Sequence, residues 1–172
     1  MLALLVIDVQ QAMFNTMQPY RGAEVVARIG ELLARAREAG APVFFIQHDG
    51  GPGDDFGRDS PGFPFHPAVA PRPGEPVTVK RRNSGFYQTD LEAKLRAACI
   101  DALVICGLQT EYCVDATVRS AFERDLRVTI AADAHSTFDS ELLPAATIIA
   151  HTQHIWNGRY ARLKAAAEIQ FD

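Results

Sequence analysis

The chain has 172 residues, of which 48% are hydrophobic and 22% charged, and its formal net charge is -4. That is the length and composition of one globular domain, residues 1–172, with a substantial core. The acidic balance excludes a nucleic-acid binder, because no basic stripe is present to neutralise phosphates. No apolar run approaches the roughly 20 residues that cross a bilayer, so no membrane partner is expected. The opening MLALLVIDVQ lacks a basic n-region and reaches Asp8 too soon for a secretory h-region, which points to a cytoplasmic protein. The 3 cysteines include no C-x-x-C spacing and are odd in number, so neither a disulfide framework nor a zinc knuckle is supported. Cys99 and Cys106 read as packing residues.

In chain order, Leu2 to Ile7 is an unbroken apolar run, as expected of a parallel strand covered on both faces, and it stops at a carboxylate, Asp8. Gly22 to Ala39 reads as a helix with Val25, Val26, Ile29, Leu32, Leu33 and Ala36 on one face and Gly40 as its stop. A second strand follows, Pro42 to Gln47. From His48 to Pro76 periodicity gives way to a Gly/Pro-rich stretch too long for a simple connector, with Phe56, Phe63 and Phe65 placed to roof a pocket or an oligomer interface. Its His48, Asp49, Asp54, Asp55, Asp59 and His66 are either solvated loop charges or a metal site without a recognised ligand spacing. Val77 to Lys80 is a short strand ending in a lysine, and Thr89 is placed to cap a helix from Asp90 to Ala98.

The central stretch is Ala102 to Ala121. An apolar strand, Ala102 to Cys106, enters a turn at Gly107. A helix then follows, with Val114, Val118, Ala121 and Phe122 on one face and an Asp115/Arg119 pair on the other. With Thr110 as N-cap, Cys113 falls at the third helical position, where free N–H groups and the helix dipole favour a thiolate. Cys113 is then either a reactive thiol with a lowered pKa or a small packing residue at the strand-helix junction. Arg127 to Ala132 is a further strand ending at Asp133, Ser140 opens a helix through His151, and the tail holds Trp156, a helical turn to Ala166 and an edge strand at Glu168 to Phe171. Strands alternating with helices at this spacing predict an α/β protein, a three-layer αβα arrangement around a mainly parallel sheet.

Ligands in such folds gather at the carboxyl ends of the strands. There the chain places Asp8, His48, Lys80, the Gly107 turn leading to Cys113, and Asp133: acids, a base, a cation and a nucleophile. No G-x-G-x-x-G follows the first strand, and G-x-x-x-x-G-K-[ST] and G-x-S-x-G are absent, so dinucleotide, Walker-type and serine-hydrolase sites have no support. Asp8 reads as a turn aspartate or an acid-base group, and His135 as a structural histidine or a partner for the cysteine.

Asp8, Lys80 and Cys113 together resemble the triad of the isochorismatase-like cysteine hydrolases, which include nicotinamidases and N-carbamoylsarcosine amidohydrolases. The likeness runs through LLVIDVQ with Asp8 and Gln10, KRRNSGFYQTDL with Lys80, Ser84, Phe86 and Thr89, ICGLQTEYCVDATVRSA with Gly107, Thr110, Cys113, Val114, Thr117 and Ala121, and AADA at Asp133. It implies a Rossmann-like, six-stranded sheet of order 3-2-1-4-5-6. It also implies a small-molecule amide or carbamoyl substrate cleaved through an acyl-thioenzyme, with Cys113 as nucleophile, Asp8 as base and Lys80 as supporting cation. A cis peptide between Leu108 and Gln109 would aim the N–H groups of Gln109 and Cys113 at the substrate oxygen. Gln10, Phe14, Gln109 and Trp156 are the candidate pocket lining, and Arg81 or Arg82 could meet a substrate carboxylate.

The sequence departs from nicotinamidases where those carry D-x-H and further histidines. Here the segment reads QHDGGPGDDF, so neither a metal nor any other cofactor is expected. A homo-oligomer, dimer or tetramer, is expected. Two other functions fit the same fold: hydrolysis of a vinyl ether, which needs no nucleophile, and a non-enzymatic scaffold with Cys113 as an oxidant-sensitive thiol.

Overall fold

The computed structural model describes residues 1–171. Six strands, β1 (Leu2–Ile7), β2 (Val43–His48), β3 (Val77–Lys80), β4 (Ala102–Leu108), β5 (Arg127–Ser136) and β6 (Arg162–Lys164), form one sheet of order β3-β2-β1-β4-β5-β6. Every pairing is parallel. The helices are α1 (Ala12–Asn15), α2 (Gly22–Glu38), α3 (Leu91–Ala97), α4 (Asp115–Phe122) and α5 (Ala145–Trp156).

The apolar run of β1 divides by pleat. Leu4 and Val6 face α2 through Val25, Val26, Ile29, Leu32, Leu33 and Ala36. Ala3, Leu5 and Ile7 face the opposite layer, with Leu91 and Leu95 of α3, Val118 and Ala121 of α4 and Trp156 of α5. Both layers need apolar partners, which is why the run shows no alternation. The result is the expected αβα sandwich. Because β1 has β2 on one side and β4 on the other, the strand order reverses between β1 and β4, and the carboxyl ends of those two strands border the crevice where ligands bind.

Several boundaries differ from expectation. β5 does not end before Asp133: register shifts past Ile105 and Ile130, and pairing resumes at Gly107 with His135 and Leu108 with Ser136. The bulge turns Asp133 outward, where its Oδ1 accepts from Ala166 N at 2.6 Å and Oδ2 lies 3.5 Å from Arg28 Nε. Asp133 therefore anchors the tail and is not at the strand-end site. The helix expected from Ser140 begins at Ala145; Ser140 Oγ instead accepts from Leu142 N and Leu143 N, and Asp139 Oδ1 from Ala145 N. The last strand is Arg162–Lys164, and the stretch expected as an edge strand holds the 3₁₀ turn Ala166–Glu168. Thr89 donates to Gly85 O at 2.6 Å and only distantly caps Leu91 N, so Asp90 occupies the N-cap of α3.

The long segment after β2 folds back over the ends of β1 and β2. Gln11 N donates to Pro64 O, Ala12 N to Gly62 O and His66 N to Val9 O, and Phe65 packs edge-on against Phe45 with ring centroids 5.5 Å apart. Phe56 and Phe65 thus join the core.

Candidate active site

Asp8 follows β1 immediately, with φ of 51°, a left-handed conformation that a non-glycine residue keeps only where its surroundings hold it. Its N–H donates to Ile46 O at 3.1 Å, which ties the turn to β2. Lys80 ends β3, two strand spacings away across β2, roughly 10 Å. A long side chain is required to cover that gap, and Lys80 covers it: Nζ lies 2.7 Å from Asp8 Oδ2 and donates to Cys113 Sγ at 3.1 Å. Both ionic side chains are inaccessible to solvent, and Cys113 is 9% exposed. The Asp8–Lys80 contact is a close ion pair rather than an aligned hydrogen bond, for neither Asp8 oxygen has a hydrogen-bond partner among the described residues. Buried acceptors left in that state are ready to take a proton or a donor from a bound molecule.

The turn carrying Cys113 leaves β4 at Gly107, where φ is +124° and an added Cβ would stand 2.1 Å from Ile7 O. Only glycine fits there. The Leu108–Gln109 peptide is cis. Thr110–Val114 then forms a π-helical turn, closed by Val114 N donating to Gln109 O at 3.1 Å, before α4 begins. Gln109, not Thr110, occupies the cap position. Thr110 instead bonds to His135 Nδ1 at 2.9 Å, so Cys113 stands in a widened turn ahead of α4 rather than at the third position of an α-helix.

The expected lowering of the thiol pKa does not follow. Burial pushes the Cys113 thiol up to about 12, Asp8 adds to the rise, and Lys80 opposes it. Burial also works against the Lys80 ammonium, but Asp8 and then Cys113 outweigh it, and the group is held above the ordinary lysine value. The resting set is a carboxylate, an ammonium and a thiol, neutral in sum. His48 is lowered by burial and by the Lys80 charge; its Nδ1 sits 3.2 Å from Lys80 Nζ, so it stands beside the cation as a neutral acceptor.

Around this set the chain is pinned by side chains. Gly85 N donates to Thr117 Oγ1 at 3.0 Å and Ser84 Oγ to Ser120 Oγ at 2.9 Å, which fastens the segment after Lys80 to α4, behind Cys113. Gln153 Nε2 donates to Ala132 O and reaches His135 Nε2 at 2.9 Å. With Nε2 accepting, His135 carries its proton on Nδ1 and donates it to Thr110 Oγ1. Burial lowers the His135 pKa to about 4, so this neutral imidazole joins β5 to the turn. It is a strut and not a partner of Cys113.

Of the candidate lining residues, Gln10 is fully buried. Its amide donates to His48 O and Phe63 O, and its Oε1 accepts from His48 N, so it clamps the loop after β2. Trp156 is also fully buried, donating from Nε1 to Asp115 Oδ1 at 2.7 Å and packing its ring on His135; it belongs to the core, not to a pocket wall. Phe14 packs edge-on against His66 with centroids 4.8 Å apart. A cleft of about 640 Å³ adjoins Lys80 and His48, walled by Asp49, Arg58, Arg81 and Arg82. In the sequence Asp49 stands only as a loop charge or a metal candidate, and its role is legible only in the fold. Its side chain is 1% exposed and accepts from Arg58 Nε at 2.9 Å and Arg81 at 3.2 Å, contacts between residues whose spacing follows no secondary-structure period. Among the described residues no group of three or more His, Cys, Asp or Glu is arranged to hold a metal ion, and no helix is long and apolar enough to cross a membrane.

A parallel sheet of order 3-2-1-4-5-6 with a thiol, an ammonium and a carboxylate gathered beside its switch point defines the class, a Rossmann-like αβα protein with a cysteine-centred site. Residues 2–154 match the isochorismatase domain, and the chain belongs to the isochorismatase family. It is 44% identical over 151 residues to streptothricin hydrolase of Streptomyces noursei, a match covering 87% of this chain and 54% of that protein, so the chain spans about half that relative's length. It is 31% identical to ureidoacrylate amidohydrolase RutB of Methylobacterium radiotolerans, over 83% of this chain and 67% of the relative. A crystal structure of an isochorismatase from Pseudomonas putida KT2440 superposes with a TM-score of 0.92 at 29% identity, covering 98% of this chain and 89% of the other.

Proposed function

We propose that the protein hydrolyses an amide or carbamoyl C–N bond of a small molecule through an acyl-thioenzyme. The observation that carries this reading is the position of Lys80, between Asp8 at 2.7 Å and Cys113 at 3.1 Å in a site closed to bulk water. The names of two relatives support it, one a streptothricin hydrolase and the other an amidohydrolase.

Asp8 takes the proton from Cys113 Sγ as the sulfur attacks the carbonyl carbon, and Lys80 stabilises the developing thiolate and holds both partners in place. The carbonyl π electrons move onto oxygen, where the backbone N–H groups of Gln109 and Cys113 act as the oxyanion hole. Asp8 returns the proton to the nitrogen, the C–N bond breaks, and the amine or ammonia leaves. Water then attacks the thioester and gives its proton to Asp8; collapse expels the Cys113 sulfur, which recovers the proton. Burial and Asp8 keep the thiol protonated at rest, so its proton must leave as the sulfur attacks, with Lys80 opposing the rise.

A panel of small primary amides, ureas and vinyl ethers assayed with wild type and Cys113→Ala tests the reading. Amide or urea turnover that disappears in Cys113→Ala, with a mass increase on Cys113 during turnover, is expected. Hydrolysis of vinyl ethers alone, surviving in Cys113→Ala, would reject it.

A further inference from the structure

His48 and Lys80 are register partners on the adjacent parallel strands β2 and β3, so their side chains leave the same face of the sheet side by side. They meet at the strand ends, with His48 Nδ1 3.2 Å from Lys80 Nζ. The pair is held in place on every side. Gln10 grips the His48 backbone twice, its Oε1 accepting from His48 N and its Nε2 donating to His48 O. Phe56 packs edge-on against the imidazole, with ring centroids 5.5 Å apart. Asp49 N donates to Lys80 O at 2.9 Å and carries the ladder one step past the pair.

An ammonium has three N–H donors and no acceptor. Lys80 has three partners within reach: Asp8 Oδ2 at 2.7 Å, Cys113 Sγ at 3.1 Å and His48 Nδ1 at 3.2 Å. Two of these belong to the proposed chemistry, and the third has no part in it. Its effect is on the head of the flexible four-carbon stem, which without a third acceptor is free to rock away from the sulfur. For Nδ1 to accept, the imidazole must be neutral and carry its proton on Nε2. No hydrogen bond within the described residues engages Nε2, and His48 lines the cleft beside Lys80. Asp8 and Lys80 are closed to solvent whereas His48 is partly exposed, so the imidazole is where bulk pH reaches the set.

We propose that His48 is a positioning residue for the reaction: its neutral imidazole takes the third N–H of Lys80 and aims the other two at Asp8 and Cys113, and its protonation switches the site off. The inference rests on the reading of Asp8, Lys80 and Cys113 as the reacting groups and adds the residue that orients the cation. Protonation turns Nδ1 from acceptor into donor and sets two cations 3.2 Å apart, which drives the ammonium off Cys113 and leaves a developing thiolate without support. The charges facing His48 fix the direction of its titration. Burial and then Lys80 lower it, while Asp8, Asp54 and Asp49 pull the other way. The carboxylates do not win, because Asp8 is engaged by Lys80, Asp49 by Arg58 and Arg81, and Asp54 lies exposed to solvent. Arg82 and Tyr87 also line the cleft and bring no carboxylate to it.

Long-range ¹H–¹⁵N correlation spectra of the wild-type protein with labelled histidine test the contact without turnover. His48 should carry its proton on Nε2 and titrate below the ordinary histidine value. On an amide or urea that the wild type hydrolyses, kcat/KM should fall on the acid side with the midpoint of that titration. His48→Asn, whose Oδ1 falls near the place of Nδ1 and does not titrate, should stay within a few-fold of wild type at pH 8 and lose that acid limb. His48→Leu should fall about 10- to 100-fold at the same pH, the range for one hydrogen bond lost from a charged group. An Nδ1–H tautomer, a wild-type limb away from the His48 midpoint, a limb unchanged in His48→Asn, or His48→Asn no more active than His48→Leu would overturn the proposal. The spectrum and His48→Asn decide it even where His48→Leu does not fold. Failure of the wild type to hydrolyse any amide or urea rejects the amidase by itself, and the tautomer and titration then decide the His48–Lys80 contact.

Discussion

The Asp8 carboxylate and the Lys80 ammonium meet at 2.7 Å with neither side chain reaching solvent. Each is the principal compensation for the other's burial, and Lys80 spends its remaining contacts on Cys113 and His48. Removing one partner therefore does two separable things, one to stability and one to chemistry.

Asp8→Asn should reduce kcat/KM by about 10²- to 10⁴-fold, the range for a lost general base. Because it leaves a buried ammonium without a counter-charge, it should also cost about 3 to 5 kcal/mol in urea unfolding at neutral pH. Unpaired, Lys80 has its folded pKa driven below the unfolded value, so the variant regains stability as pH rises through that window. Adding Lys80→Met should restore much of the stability and none of the activity. A folded Asp8→Asn within a few-fold of wild-type activity would show that Asp8 is not the base.

Alkylation of Cys113 by iodoacetamide, followed by peptide mapping, should accelerate steadily with pH and show no plateau between pH 5 and 8. The thiol is held near 12 by burial and by Asp8, so the reactive fraction grows about tenfold per pH unit across that range. Cys99, on the surface, serves as the internal comparison. A plateau for Cys113 near neutrality would mean that Lys80 has already made a thiolate in the resting protein.

His135 predicts the pH dependence of stability. Its folded pKa of about 4 lies below the unfolded value, so the unfolded chain binds more protons between the two and stability falls as pH drops through that interval. Between pH 7 and 4.5 the loss should be about 2 to 3 kcal/mol from this group alone. His135→Gln should lower stability at pH 7, by about 1 to 3 kcal/mol for the broken contacts to Thr110 and Gln153, while flattening this pH dependence. An equal slope in variant and wild type, measured by urea unfolding, would remove His135 as its source.

Gly107→Ala should cost more than about 3 kcal/mol, because overpacking here meets backbone and not a flexible side chain. The added carbon would strike Ile7 O and N at 2.1 and 2.7 Å, between the two strands that lead to Asp8 and Cys113. A thermal melt within 2 °C of wild type would contradict the close approach of β1 and β4.

The sequence by itself determined the layers and the catalytic candidates. The unbroken runs at Leu2–Ile7 and Ala102–Cys106 state that both faces of those strands are covered, and Asp8, which ends the first of them, and Lys80, which ends the short strand Val77–Lys80, fall on one edge once all strands are parallel. Local periodicity and strand direction are enough for that. What it could not determine were contacts between residues of unrelated spacing. Whether β5 stops at Asp133 or bulges and continues depends on its pairing with β4, whether Thr110 caps a helix or binds His135 depends on where β5 brings that ring, and whether Trp156 lines a pocket or fills the core depends on Asp115 lying beneath it. The thiol pKa turned on the same distinction. A helix N-terminus is legible in a string of residues and argues for a thiolate, but the burial that wins over it is created only when the ends of β1, β3 and β4 close around Cys113.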